Sequence, residues 1–360
     1  IHPGSRPQKQ RMKAESPVNR GEKADFLDPR WVVTDQMIAA QAQQSLGSIY
    51  IKQMNFDAAL TALASSMETK QQYADWYGIG KTLNSLAHIK RASGDFAGSI
   101  AQYAESLECF NRIENWHKAS RVLCRMGMAY FERGDLEEAE TKLQESRAIR
   151  VSISDTQGIA ECDFELGRIA ERRKQLLEAN RYYSASLDYA VASGSTTRMM
   201  HPLVYLAALA LRNRELEKGY SYLRKARKLA DENRLYSFLV QAYIVRAKQD
   251  LADTLYDLGF MLLTEAVYIG AHEDDAVARN ALAVFWTLLT STFSQQEFSS
   301  ALDSYCRRSL AYWSKHCRDT QLDSVLLGQL TSFDATEAAK QAGGSAQFIE
   351  QLLRAVHSFP

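Results

Sequence analysis

Proline is nearly missing from the body of this chain. The 360 residues hold six, and four of them (Pro3, Pro7, Pro17, Pro29) lie in the first thirty, so Pro202 alone interrupts the interior before the terminal Pro360. Long proline-free stretches rich in Ala, Leu, Gln, Glu and Arg favour helix. Cysteine is also sparse: five residues, odd in number and without a CxxC pair. This argues against a disulfide framework or a thiolate metal site and for reduced thiols. Charge of one sign is not in excess, since Lys+Arg and Asp+Glu both number 43, and nothing global draws the chain to nucleic acid or a membrane surface. No apolar run approaches the roughly 18 residues of a membrane span, and no charged-then-apolar leader opens the sequence. The expectation is a cytoplasmic protein. GxxxxGK[ST], strand-borne GxGxxG, HExxH and GxSxG are all missing, so the chain is expected to be non-enzymatic, with no cofactor and no metal.

What the sequence does hold is a register of small residues. Gly47, Ala87, Gly127, Gly167, Ala207 and Ala247 follow at intervals of forty, and the next member, Leu289, comes two residues late. Twelve residues after each stands a second small residue: Ala59, Ser99, Ala139, Ala179, Gly219, Gly259 and Ala301. Three residues before this second position the side chain is bulky and apolar (Phe56, Phe96, Leu136, Leu176, Leu216, Tyr256, Phe298), and four after it another follows (Leu63, Tyr103, Leu143, Tyr183, Leu223, Leu263, Tyr305). Spacings of three, four and seven share one helix face. Each unit therefore reads as two helices, A and B, joined by a short turn such as Gly94-Asp95 or Gly134-Asp135. Small residues let the two axes approach to about 8 Å, so Gly127 is expected to face Ala139, with Leu136 and Leu143 sealing the crossing. One hairpin cannot bury its own apolar face, whereas stacked hairpins can.

With "LGSIY" (Leu46 to Tyr50), "MGMAY" (Met126 to Tyr130) and the alanines Ala59, Ala139 and Ala179, the unit resembles the tetratricopeptide repeat (TPR). The resemblance covers about residues 34–310. The forty-residue period exceeds the family's commonest thirty-four. It is similar to the repeats of Pins/LGN-type adaptors, rapsyn and the sensor regions of signalling ATPases, without the proline that often closes a unit or the asparagine ladder of the Pins group. It implies an all-α, right-handed superhelical solenoid of about seven hairpins with C-terminal capping helices.

The expected organisation is a disordered basic tail or linker over 1–30, a seven-unit solenoid over 31–310 and capping helices over 311–360. The tail carries seven Lys/Arg against four Asp/Glu. "ASGSTT" ahead of Pro202 suggests a late start for the fifth helix A, with the proline in its tolerated first turn. Phe348, Ile349, Leu352, Leu353 and Val356 form one stripe that either caps the last unit or, hinged at Gly343-Gly344, plugs the channel. The cluster His272 to Asp275 reads as a solvated acidic turn, His316-Cys317 as packing, and Trp76 and Trp116, in the same cell of successive units, as structural.

In the family, certain helix A positions line the concave face. Mapped here they give Lys81, Asn84, His88 and Arg91 in unit two, Arg121, Cys124, Met128, Phe131 and Glu132 in unit three, and Glu161, Phe164, Arg168, Glu171 and Arg172 in unit four, with Arg125 adjacent. Lys81, Asn84, Arg121 and Arg125 have the chemistry of carboxylate-clamp repeats in a different cell order. A basic groove with Phe131 and Phe164 as apolar anchors competes with a solvated face carrying intrahelical pairs such as Glu165 with Arg168. The expected function is a protein-interaction scaffold or adaptor that holds an acidic peptide or helix with an apolar anchor, without nucleic acid or membrane. The alternative is a sensor segment of a larger signalling ATPase or transcription regulator.

Overall fold

The computed structural model describes residues 29–256 together with 258, 259, 262, 263 and 266. Among these residues there are eleven helices and no strand: α1 Pro29–Lys52, α2 Phe56–Gln72, α3 Trp76–Ala92, α4 Phe96–Arg112, α5 Trp116–Arg133, α6 Leu136–Ser152, α7 Thr156–Arg172, α8 Leu176–Ala192, α9 Thr196–Arg212, α10 Leu216–Asn233 and α11 Tyr236–Ala252. The cells at Leu289, Phe298, Ala301 and Tyr305, the His272 cluster, His316-Cys317 and the capping helices lie outside the described residues. The described residues fall into two compact units that divide between Thr82 and Leu83. In the first, α1 packs along α2; in the second, α5 pairs with α6, α7 with α8 and α9 with α10, and each pair stacks on the next.

Every turn has the same construction. A left-handed residue recurs every twenty positions: Met54, Ala74, Gly94, Glu114, Gly134, Ser154, Lys174, Gly194, Arg214, Arg234 and Thr254. The next residue's N–H reaches back five residues to a carbonyl, as in Asn55 to Tyr50 (2.9 Å), Asp95 to Lys90 (2.9 Å) and Glu215 to Ala210 (2.8 Å). This is the Schellman closure. The same residue then caps the following helix: the Asn55, Asp75, Asp95, Asn115 and Asp155 side chains accept from the backbone N–H three residues on, at 2.9–3.3 Å. One residue thus ends a helix and starts another. The forty-residue period is two twenties, because turns within and between pairs are alike.

The crossings follow the small cells. A Cβ placed on Gly127 would lie 2.8 Å from Leu143 Cγ and 3.1 Å from the Ala139 carbonyl, and one on Gly219 2.6 Å from Leu211 Cγ and 3.1 Å from the Ala207 carbonyl. Each small cell is therefore roofed by the residue four beyond its partner cell. The cell at the start of helix B varies: half-buried Leu136 packs against the cluster that holds Ala139 and Leu143, as expected, whereas Leu216 is 53% exposed. A serine ladder supplements the packing. Seven residues after the second small cell, Ser66, Ser146 and Ser186 donate from inside the pair to the carbonyls of Ala40, Ser120 and Ala160 at 2.6–2.7 Å.

Pro202 is a correction. Helix α9 starts at Thr196, in the same phase as the other helices, so the proline falls in the second turn and not the first. Its missing N–H leaves the carbonyl four residues back without that bond, and the ring is buried among apolar neighbours instead.

Candidate functional site

In the second unit the A helices of successive pairs approach one another, α5 with α7, α7 with α9 and α9 with α11. Their facing side chains form the inner face. Its first part joins α3, α5 and α7. Arg91 reaches Glu132 on the next A helix at 2.5 Å. Half-buried His88 lies near the charges of Arg91 and Arg125, and burial first, then those two charges, hold its pKa down at about 4. Arg125 is half-buried, and burial lowers its pKa. Arg168 donates to Glu165 at 2.7 Å and lays its guanidinium 4.6 Å from the Phe131 ring centre. The intrahelical pair of Glu165 with Arg168 is therefore present, but with Glu165 buried and Arg168 half-buried it is not a solvated one, and Phe131 carries an arginine. Arg121 and Arg172 are exposed and make no ion pair among the described residues; Asn84 and Met128 are half-buried beside them in sequence. Cys124 is buried and hydrogen-bonded to Cys162, which raises its pKa. Glu161 is held by Arg150 at 2.9 Å and Arg198 at 3.8 Å. Lys81 belongs to the first unit, where its Nζ lies 5.7 Å from the Tyr77 ring centre.

The second part, on α7, α9 and α11, holds residues that the sequence reading missed. Arg246 Nη1 donates to Glu171 Oε2 at 2.8 Å, Nε donates to Asp250 Oδ2 at 3.0 Å, and Tyr183 Oη donates to Glu171 Oε2 at 2.9 Å. The Tyr205 ring centre lies 4.9 Å from the guanidinium, and Arg246, Asp250, Tyr183 and Tyr205 are fully buried. Burial opposes the charge on Arg246, yet Asp250 and Glu171 more than offset it and the pKa rises. Burial pushes Asp250 up to about 6 even beside Arg246. Phe164 packs here, 4.9 Å from Tyr205 edge-on, 5.5 Å from His201 and 5.6 Å from Tyr183. The signal was in the register. The cell before the first small residue is bulky and apolar in every earlier unit (Leu46, Leu86, Met126, Leu166, Leu206), and Arg246 breaks it.

Among the described residues, no group of three or more His, Cys, Asp or Glu side chains could hold a metal ion, and no helix is long and apolar enough to cross a membrane. The inner face can present cations and aromatic rings on stiff helices, which suits recognition more than bond chemistry.

No family model matches the chain, and no curated protein matches it. Solved structures do. A Rap protein complexed with competence and sporulation factor is 16% identical, with a TM-score of 0.56 over 79% of this chain and 77% of that one. Aspartyl phosphate phosphatase F from Bacillus subtilis is 9% identical, with a TM-score of 0.56 over 75% of this chain and 74% of that one. A signal transduction ATPase (STAND) protein with a tetratricopeptide repeat sensor, from Pyrococcus horikoshii, is 16% identical, with a TM-score of 0.50 over 76% of this chain and 39% of that one. At such identities the likeness speaks for architecture alone, and with the paired helices and their small-residue crossings it shows that the chain has the tetratricopeptide-repeat fold.

Proposed function

We propose that this chain is a non-enzymatic interaction scaffold whose inner face on α3, α5 and α7 holds an extended or helical segment of a partner protein. The observation that carries the reading is the pair of exposed cations Arg121 and Arg172, without a carboxylate partner among the described residues, on helices that a repeated packing scheme holds rigid. Preorganisation lowers the ordering cost on the receptor side. A Rap protein of the same fold has been solved with a bound factor, which supports looking for a peptide. Arg91 and Arg168 are already paired, so acidic side chains of the partner fall to Arg121, Arg125 and Arg172. Half-buried Met128, Phe131 and Phe164 take its apolar anchor. The alternative, a sensor segment of a larger signalling ATPase, rests only on the fold shared with the Pyrococcus protein.

The test is peptide display on the whole chain, followed by fluorescence anisotropy with the selected peptides. Enrichment of acidic residues around one large apolar residue is expected. Arg121→Glu with Arg172→Glu should weaken binding roughly tenfold and flatten its salt dependence. Arg168→Glu is a poorer probe, because it also breaks the Glu165 pair and uncovers Phe131. Peptides without acidic bias that bind wild type and double variant alike would refute the reading.

A further inference from the structure

The outer face of the helical pairs carries a charge step that the inner-face reading does not use. The fifth, sixth and ninth residues after the second small cell point away from the A helices, and in the second unit they can be compared cell by cell. In α4 they are Ala104, Glu105 and Glu108; in α6 Gln144, Glu145 and Ala148; in α8 Ser184, Ala185 and Asp188. In α10 the same cells are Arg224, Lys225 and Lys228, all exposed. The cells thus carry no cation in three successive pairs and three cations in the fourth, within a chain whose basic and acidic residues balance at 43 each.

These cations are not absorbed locally. Arg224 lies 4.0 Å from Glu217, with the two side chains 60% and 87% exposed, and Lys228 lies 3.7 Å from Glu232, at 76% and 55%. Pairs this loose and this wet hold their partners weakly. Lys225 makes no ion pair among the described residues. Arg224 and Lys228 share a helix face, about 6 Å apart along the axis, with Lys225 beside them.

We propose that the Arg224, Lys225, Lys228 stripe of α10 is a docking surface for a short acidic segment of a partner polypeptide, separate from the inner face. Charge complementarity selects the occupant, and the neighbouring cells limit its length. A long polyanion continuing past α10 would meet Asp188, Glu145, Glu105 and Glu108 in the equivalent cells. Tight nucleic-acid binding also uses about 6–10 phosphate contacts, more than this stripe offers. A few carboxylates in a row fit within it.

The probe is a fluorescein-labelled octapeptide of alternating glutamate and aspartate, read by anisotropy with the full chain at about 25 mM salt, where screening is weak. The expected result is a loss of roughly tenfold for Arg224→Glu with Lys225→Glu and Lys228→Glu. A charge reversal that neither surface uses, Lys52→Glu, should stay close to wild type, and the inner-face variant Arg121→Glu with Arg172→Glu is run beside it so that a loss on that face is told apart from a loss on this one. Circular dichroism checks folding, and the triple Gln variant serves if the Glu variant is not helical. Four outcomes overturn the proposal: unchanged peptide binding by the folded triple variant; loss confined to the inner-face variant; the tenfold loss appearing with a single-stranded oligoribonucleotide or phosphatidylserine vesicles and not with the peptide; or self-association in sedimentation that the triple variant abolishes, which would make a second copy the occupant.

Discussion

The crossing of α5 with α6 and the network between α7 and α11 hold helices together by opposite means. At the first, a glycine lets Leu143 and the Ala139 backbone come within van der Waals reach, and the one side-chain hydrogen bond that the serine ladder adds is to a backbone carbonyl and uncharged. At the second, a fully buried arginine sits between two buried carboxylates and two tyrosines. Apolar crossings tolerate error gradually, because a misplaced methylene costs in proportion to the atoms displaced. A buried ionic network does not, because removing one partner strands the others in a medium that cannot solvate them.

The contrast is broken most severely at Arg246. Arg246→Met leaves Glu171 and Asp250 buried without a counter-charge, and denaturant titration should show a loss of about 3–5 kcal/mol. Adding Glu171→Gln and Asp250→Asn to that variant should return a large part of it; no recovery would mean that packing, not charge, dominates the site. Next comes overpacking. Gly127→Leu or Ala139→Leu should each cost about 1–3 kcal/mol or more. Gly167→Ala joins the two regions, since its Cβ would lie 2.5 Å from Tyr183 Cε1 and so press on the donor to Glu171. An unchanged melting midpoint in all three variants would contradict the crossing geometry.

Acid sharpens the comparison because it touches only the polar region. Burial first, and then the Arg168 charge, lower the His201 pKa from 6.5 to about 4. The neutral form is favoured in the fold, so this contribution is fully present above 6.5 and is lost as pH falls towards 4. At pH 5 the loss is about 2 kcal/mol. Asp250, raised to about 6, works the other way: its contribution is present below the ordinary carboxylate range and is lost as pH rises through 6. His201→Gln should therefore flatten the fall in melting midpoint between pH 7 and 5, and Asp250→Asn should steepen it. The smallest effect lies in the turns. Thr254 is β-branched and left-handed, at φ 63°, so Thr254→Gly should raise stability by up to about 1 kcal/mol. A loss there would mean that the threonine side chain, whose Oγ1 bonds its neighbour's carbonyl, outweighs the strain.

The pairing of helices was legible because one physical demand, close approach, recurs at fixed spacing. Gly47, Gly127 and Gly167 had only to be counted. The twenty-residue turn was harder to see, because its left-handed position accepts Met, Glu, Lys and Arg as well as Gly and leaves no compositional mark. The serine ladder was equally hidden, since Ala226 and Ala266 fill the same cell without a hydroxyl. At the candidate site, helix A spacing named the side chains, but their partners lie on other helices. That Arg91 meets Glu132 forty-one residues on, or that Arg168 covers Phe131, depends on rotamers and on the approach of neighbouring axes. Arg246 breaks an apolar column, a signal that went unread, and a basic residue in an apolar cell does not by itself name the carboxylate that answers it.

The separation in sequence of these contacts bears on how the chain folds. The serine bonds close loops of 26 residues, whereas the Arg246 to Glu171 bond closes one of 75. Local closures cost less entropy and lead to fast folding, so the pairs can form first and the link from α11 to α7 last. A contact made after the barrier acts on the escape rate alone. Losing Arg246 should hasten unfolding while leaving refolding almost untouched, which makes this residue a latch on the lifetime of the assembled inner face and not a guide to its formation.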